Sequence, residues 1–305
     1  LEEGKEIKSI FEGNEAISLG AASAGLDMYI AYPMTPASSI LHFFARHKDD
    51  LKVMPIHPES EIAVANLAIG GTLSGGRTMV GTSGGGMALM EEAFSLAGMA
   101  EAPVLFVLST RPGPSTGIPT YTEQCDLNFA LNQGHGEFPR IVASPGSIEE
   151  AYYLAAELLN LVWEFQTPGI LLTEKHLSES SMSVELDTDK TSWVEPKMHE
   201  SGEYKRYLDN EDGVSPMLFP PSEEVIKWNS KEHDENGIGT EDLEMATKMH
   251  DKRRKKGDSI VKELKDKKTV NEYGSGDTII FTYGSTTMSV LEALTHGDLE
   301  AKVVQ

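Results

Sequence analysis

Thr78–Ser109 reads "TMVGTSGGGMALMEEAFSLAGMAEAPVLFVLS". The apolar run "TMVGTS" gives way to three glycines, then to the helical stretch "MALMEEAFSLAGMA", then to "PVLFVLS", which is apolar almost throughout. A strand apolar on both faces is covered on both faces, the usual condition of a parallel sheet. Glycines between strand and helix allow close backbone approach to a ligand and leave amides free at a helix start; tight strand-to-helix packing explains them equally well. The stretch is neither the dinucleotide pattern G-x-G-x-x-G nor a P-loop, because Met87, Ala88 and Leu89 follow the glycines.

The same alternation extends outward in both directions. Upstream, "NEAISLGAASAG" predicts a helix closed by Gly25, "MYIAY" a short strand, "SSILHFFARH" a helix and "LKVMPI" a strand. Downstream, "RIVASPGS" leads into the helix "IEEAYYLAAELLNLVWEF" and then "PGILLT". Strands alternating with helices predict an α/β fold with a doubly wound parallel sheet, whose sites lie beyond the carboxyl ends of the strands. After about Glu174 the chain turns polar, with a charged helix expected near Asp242 to Lys265. Its basic run "KMHDKRRKK" reads as a solvated helix face, with a docking patch as the alternative. "DTIIFTYGSTTMSVLEAL" predicts strand, turn and helix, the start of a second α/β unit. The expected division is 1–195, a connecting segment 196–268, and an incomplete second domain 269–305.

The 305 residues carry 48 acidic and 26 basic side chains, a net charge of −22, which argues against nucleic acid as a partner. No run of about 18 apolar residues and no signal-peptide pattern is present, so the expectation is a cytoplasmic protein that does not span a membrane. A first residue Leu1 and an end at "AKVVQ" suggest a processed, fused or partial chain. Cys125 is the sole cysteine and cannot supply the thiolates of an iron–sulfur cluster or structural zinc. The nine histidines show no metal-ligand spacing, and no G-x-S-x-G elbow appears, so no metal site and no serine hydrolase is expected in this chain.

Four stretches carry candidate chemistry. "IHPESEIAVANLAIGG" (Ile56 to Gly71) puts Glu59 and Glu61 at the mouth of an almost wholly apolar helix, with Pro58 in its first turn and Gly70–Gly71 at its exit. Such a helix is expected to be enclosed on every side. Two positions apart, the acids lie about 200° around the axis and cannot face one neighbour. One is free to be solvated while the other has a function, although both are also ordinary first-turn acids. "AYPMTPASS" (Ala31 to Ser39) holds Tyr32, Thr35 and Ser38 in a loop stiffened by two prolines, or is simply a strand-to-helix turn. In "STRPGPSTGIPTYTEQCDL" (Ser109 to Leu127), Arg111 offers a fork of donors suited to a carboxylate, with Ser115, Thr116 and Thr120 nearby; pairing with Glu123 or Asp126 is the structural alternative. His135 in "NQGHGEFPR" reads as a structural residue before a catalytic one.

Taken together and in this order, "YPMTP", "ESEIAVANLAIGG", "TSGGGMALMEE", "RPGPSTGIPTYTEQCDL" and "GHGEFPR" resemble the alpha subunit of the 2-oxoacid:ferredoxin oxidoreductases, and "YKRYLDNEDGVSP", "HDENGIGTED" and "YGSTTMSVLEAL" extend the likeness over nearly the whole chain. The resemblance implies a thiamine-diphosphate enzyme of the pyrimidine-binding type, followed by a transketolase C-terminal-like domain. It implies a beta subunit carrying the diphosphate and Mg²⁺ site and a [4Fe-4S] cluster, with gamma and delta subunits or domains as further candidates. Its reaction is oxidative decarboxylation of a 2-oxoacid to the coenzyme A thioester, with ferredoxin taking the electrons.

By the same resemblance Glu61, nine residues before Gly70, bonds N1′ of the aminopyrimidine. Tyr32, Pro33 and Pro36 line the cofactor with Gly84 and Gly85, and Thr35, Arg111 and Thr120 meet the substrate. Met34 stands where the family commonly has Ile, and Gly84–Gly85–Gly86 where it commonly has Gly-Pro-Gly. The expected substrate is 2-oxoglutarate, with pyruvate or a broader range as the alternative. A non-oxidative thiamine decarboxylase chain and a non-catalytic scaffold are the other readings.

Overall fold

The computed structural model describes residues 9–297 and 300–305, so the first eight residues of the expected 1–195 domain and two residues of the 269–305 domain lie outside the described residues. The elements are β1 (Ile10–Glu12), α1 (Gly13–Ser23), β2 (Met28–Ile30), α2 (Ser38–Leu51), β3 (Met54–Ile56), α3 (Glu61–Leu73), β4 (Thr78–Thr82), α4 (Gly84–Leu89), α5 (Glu91–Ala100) and β5 (Val104–Thr110). There follow α6 (Leu127–Leu131), β6 (Ile141–Ala143), α7 (Ile148–Phe165), β7 (Gly169–Glu174), α8 (Lys175–Glu179), β8 (Ser181–Ser183), α9 (Leu243–Lys265), β9 (Glu272–Gly274), β10 (Thr278–Phe281), α10 (Thr286–His296) and β11 (Ala301–Val304).

A six-stranded sheet in the order β3-β2-β4-β5-β7-β6 forms the centre, and every pairing in it is parallel. Every residue of β4, β5 and β7 is buried. The period-2 alternation of a strand divides them between two cores. Met79, Leu105 and Val107 point to the side of α1, α2 and α7 with Ile17, Phe44 and Trp163. Val80, Val104, Phe106 and Leu108 point to the side of α3 and α5 with Val64, Ala68 and Phe94. Each fully buried Phe or Leu contributes about 1.5–3 kcal/mol of burial free energy. On the first side α1 lies so close to α7 that a Cβ at Gly20 would sit 2.0 Å from the Tyr152 carbonyl oxygen.

Three local expectations change. The helix after the opening acids begins at Glu61, with the Ser60 hydroxyl accepting from the Ala63 amide, so Pro58 and Glu59 precede it, and it runs past Gly70–Gly71 to Leu73. It is not enclosed on all sides: Val64, Ala65, Ala68 and Ile69 are buried, while Ile62 and Leu67 are 55% and 47% exposed in this chain. The expected single helix over "MALMEEAFSLAGMA" is two helices that meet at Met90 (φ −91°, ψ 0°).

The basic run is a correction of another kind. It lies on α9, capped by Asp242, but Lys252, Arg253 and Lys256 are buried rather than solvated. Lys252 Nζ donates to both oxygens of Glu101 (2.6 and 2.8 Å), and Lys256 Nζ donates to Glu101 Oε2 (2.5 Å) and to the Gln166 carbonyl (2.9 Å). Arg206 adds donations to the Glu101 carbonyl (2.9 Å) and Gln166 Oε1 (2.8 Å). Lys252 and Lys256 are one turn apart and face the same neighbour. Burial alone would raise the Glu101 carboxyl, but Lys252, Lys256 and Arg206 together hold it well below the usual carboxylate range. Burial pulls Lys256 down to about 7 against the attraction of Glu101. Thus the polar segment before α9 and α9 itself are riveted to the end of α5 through a cluster with more cations than anions.

The remaining described strands form a three-stranded sheet in the order β10-β11-β9, with α10 between β10 and β11, and a short antiparallel pair of β1 with β8. No helix of the described residues is long and apolar enough to cross a membrane.

Candidate functional site

The carboxyl ends of β2, β3, β4 and β5 open toward one edge of the sheet, and each is followed by a candidate loop. After β2 the chain passes through Tyr32–Pro36. Asn14, buried in the first turn of α1, anchors that loop by donating its amide to the Pro36 carbonyl (2.8 Å) and to Ser39 Oγ (2.7 Å). After β3 the Ser60 cap starts α3, which makes Glu61 its first residue. Glu61 is 6% exposed, whereas Glu59 is exposed.

After β4, Ser83 leads into α4, and the three glycines form its first turn rather than a free loop. Gly86 is the residue that lets this turn close over Glu61. A Cβ there would sit 2.0 Å from Thr82 Oγ1, 3.0 Å from Glu61 Cγ and 3.2 Å from Glu61 Oε1. Among the described residues nothing donates a hydrogen bond to the Glu61 carboxylate. The same wall includes Met34, whose sulfur lies 3.8 Å from Thr82 Oγ1.

After β5 comes the long loop 111–126, stitched at its base. Thr110 Oγ1 donates to the Glu123 carbonyl (2.6 Å) and Cys125 Sγ to the Arg111 carbonyl (3.2 Å). Arg111 Nη1 donates to the Thr35 carbonyl (2.6 Å), which joins this loop to the one after β2. The alternative of an ion pair with Glu123 or Asp126 is not realised among the described residues, so part of the Arg111 fork remains available. Burial lowers the Arg111 pKa. A cavity of about 530 Å³ lies between the loops, lined by Met34, Gly84, Gly85, Arg111, Ser115 and Asp126 among others. Burial, with Glu123 nearby, pushes the Asp126 carboxyl up from its ordinary value.

The structure therefore brings together Thr35, Arg111, Gly84 and Gly85, and sets Glu61 beneath Gly86. It does not bring in Thr120, which is exposed on the loop and makes no bond to Arg111. Pro33 is exposed, and Tyr32, 38% exposed, lies edge-on to His57 at 5.8 Å between ring centroids. Pro36 is buried and acts through its carbonyl. His135 is exposed and contributes its carbonyl to Ser95 Oγ (2.5 Å). Sequence reasoning missed Asn14 and Gln124, and named Asp126 only as an ion-pair alternative for Arg111 rather than as part of the cavity wall. For Asn14 a signal was present, because asparagine favours a helix end over a helix interior. Among the described residues no group of three or more His, Cys, Asp or Glu is arranged to hold a metal ion.

Comparison with known proteins decides the family. Residues 19–252 match the family described as "Pyruvate flavodoxin/ferredoxin oxidoreductase, thiamine diP-bdg". The chain belongs to that family. Members resembling it include the "2-oxoacid:ferredoxin oxidoreductase 1, subunit alpha" of Sulfurisphaera tokodaii, 37% identical over 313 residues that cover 96% of this chain and 50% of the relative. The "2-oxoglutarate synthase subunit KorA" of Archaeoglobus fulgidus is 33% identical over 245 residues, covering 79% of this chain and 64% of the relative. Among solved structures, a 2-oxoglutarate:ferredoxin oxidoreductase from Magnetococcus marinus, with 2-oxoglutarate, coenzyme A and succinyl-CoA bound, superposes with a TM-score of 0.90 at 34% identity over 97% of this chain and 53% of that one. This family member spans about half the length of the curated relatives it matches first.

Proposed function

We propose that this chain is the thiamine-diphosphate-binding part of an alpha subunit of a 2-oxoacid:ferredoxin oxidoreductase. Its reaction is the oxidative decarboxylation of a 2-oxoacid, 2-oxoglutarate first, to the coenzyme A thioester, with electrons passed to ferredoxin. The observation that carries this reading is Glu61: a buried residue at a helix start, under a glycine with no room for a side chain, and without a hydrogen-bond donor among the described residues. Its fit to a ring nitrogen of the cofactor is chemical, because a sheltered carboxyl both accepts and returns a proton there.

When bound, thiamine diphosphate would supply a nucleophilic carbon for chemistry at the oxo group of the acid. Glu61 would hold the aminopyrimidine at its ring nitrogen N1′ and would exchange a proton there. Gly84 and Gly85 let the ring approach the backbone, with Tyr32, Pro33 and Pro36 as the facing wall. Arg111 offers its unused donors to a substrate carboxylate, and the Thr35 carbonyl fixes its orientation. Thr120 is the proposed second substrate contact, although it stands exposed on the loop and outside the cavity lining.

The exposed apolar face of α3, with Ile62 and Leu67, together with the exposed Leu89 of α4, suits burial against a partner chain. We assign that partner the diphosphate and Mg²⁺ site and a [4Fe-4S] cluster, since one cysteine cannot hold a cluster here. Residues 1–195 serve as the pyrimidine-binding domain, 196–268 as the connecting segment and 269–305 as the start of a second domain. We place the enzyme in the cytoplasm.

The test is to assemble the chain with its partner subunits and assay a panel of 2-oxoacids with coenzyme A and a viologen dye. Dye reduction that requires both thiamine diphosphate and coenzyme A, fastest with 2-oxoglutarate, is the expected result. Carbon dioxide release without dye reduction would make this a non-oxidative decarboxylase, and an assembled complex that neither binds thiamine diphosphate nor turns over would make it a scaffold.

A further inference from the structure

The turn between β10 and α10, Tyr283–Thr286, hydrogen-bonds to the substrate loop through Gln124. The Gln124 amide donates to the Tyr283 carbonyl (2.8 Å), the Tyr283 phenol donates to the Gln124 carbonyl (2.8 Å), and the Thr286 hydroxyl donates to Gln124 Oε1 (2.7 Å). Beside this clasp the Ser285 amide donates to Glu174 Oε1 (3.3 Å), the oxygen that also caps α8 through the Leu177 amide (3.2 Å). The approach demands glycine at position 284, where φ is +62° and a Cβ would sit 2.3 Å from Gln124 Nε2 and 2.7 Å from Glu174 Oε2.

The place of Gln124 within the loop gives the clasp its consequence. Its two sequence neighbours carry the stitches at the loop base, Glu123 to Thr110 and Cys125 to the Arg111 carbonyl. Any displacement of Gln124 is therefore handed on within one residue to the backbone of Arg111. A glutamine side chain is flexible, and engaging both ends of its amide selects one rotamer.

We propose that Gln124 is a positioning residue for substrate recognition. Held by Tyr283 and Thr286, it fixes the base of the loop and, through Cys125, sets the direction in which Arg111 presents its donors to the 2-oxoacid carboxylate. The inference rests on the reading of Arg111 given above. It makes the small β9–β11 sheet part of the substrate-binding apparatus.

The experiment compares Arg111→Ala, Gln124→Ala, Thr286→Val and the Arg111→Ala/Gln124→Ala double variant in the purified, complete complex. KM for the 2-oxoacid is expected to rise about tenfold in Gln124→Ala, with KM for coenzyme A and thiamine diphosphate binding changed less than about twofold. The double variant is expected to be no worse than Arg111→Ala alone, because both substitutions spoil one interaction. Thr286→Val, which removes one bond and leaves the loop itself intact, is expected to shift the same KM by a smaller factor, and it keeps the test decisive if Gln124→Ala fails to assemble. An unchanged 2-oxoacid KM in Gln124→Ala or Thr286→Val, or losses that add in the double variant, would overturn the proposal and leave the role of Arg111 standing. An unchanged KM in Arg111→Ala would overturn both.

Discussion

Replacing Glu101 with glutamine removes the carboxylate that Lys252 and Lys256 share, and the structure sets the size of the effect. Glu101, Lys252 and Lys256 are each no more than 1% exposed, so water cannot take over the lost partner, and Arg206 adds a third positive charge to the cluster. Breaking a buried ion pair by deleting one partner costs about 3–5 kcal/mol. Unfolding entropy of about 2.1 cal/mol/K per residue over this length converts that to a Tm lowered by about 5–8 °C. The stranded ammonium groups relieve part of the cost by releasing protons, so the loss is expected to grow as pH falls from 8.5 to 6. Calorimetric melts of wild type and Glu101→Gln at the two pH values measure both quantities. A second variant guards the reasoning: Glu101→Gln with Lys252→Met and Lys256→Met removes the unpaired charges and is expected to regain most of the lost Tm. A single variant that melts within about 1 °C of wild type, or a triple variant worse than the single, would refute the account of this cluster.

Two further outcomes follow. Lys256 has a folded pKa near 7, below its ordinary 10.5, so the folded chain binds fewer protons than the unfolded one between those values and stability rises with pH across that window; Lys256→Met is expected to flatten the rise of Tm between pH 7 and pH 9, and an unchanged slope would assign it to other groups. Arg111→Ala is expected to raise KM for the 2-oxoacid by about ten- to a hundredfold, the loss of a charge-assisted contact, while thiamine diphosphate still binds; steady-state kinetics with a binding titration would show otherwise if the cofactor affinity fell instead.

The parallel sheet was legible because its evidence is local. β4, β5 and β7 are apolar on both faces, and a run such as "VLFVL" has few other places to go. Boundaries were less legible. α3 starts at Glu61 rather than near Pro58 because the Ser60 hydroxyl caps it, a choice that Pro58 and the paired acids did not reveal. β1 and β8 are three residues each, too short for a period, and exist because they pair across the chain.

The largest misreading was the basic run on α9. Its spacing is that of a solvated face, and what reverses it is Glu101, 151 residues away from Lys252. The site divides in the same way. Glu61 and Arg111 were legible as candidates at strand ends; the spacing of Glu59 and Glu61 left open which acid is sheltered, the family resemblance chose Glu61, and the structure buries Glu61 and leaves Glu59 exposed. Gln124 was not legible, Asn14 carried only the signal of a helix end, and Asp126 stood only as an ion-pair alternative for Arg111. Their roles depend on partners such as Tyr283, which lies 159 residues from Gln124 and which no local pattern announces.

Glu61 is the point at which the account is most exposed. In the complex assembled with its partner subunits, turnover of the 2-oxoacid by Glu61→Gln should fall by about 10²–10⁴-fold, the contribution of a positioned proton-transfer group, with assembly intact, while Glu59→Gln stays close to wild type. Equal losses in the two variants, or full turnover by Glu61→Gln, would contradict it.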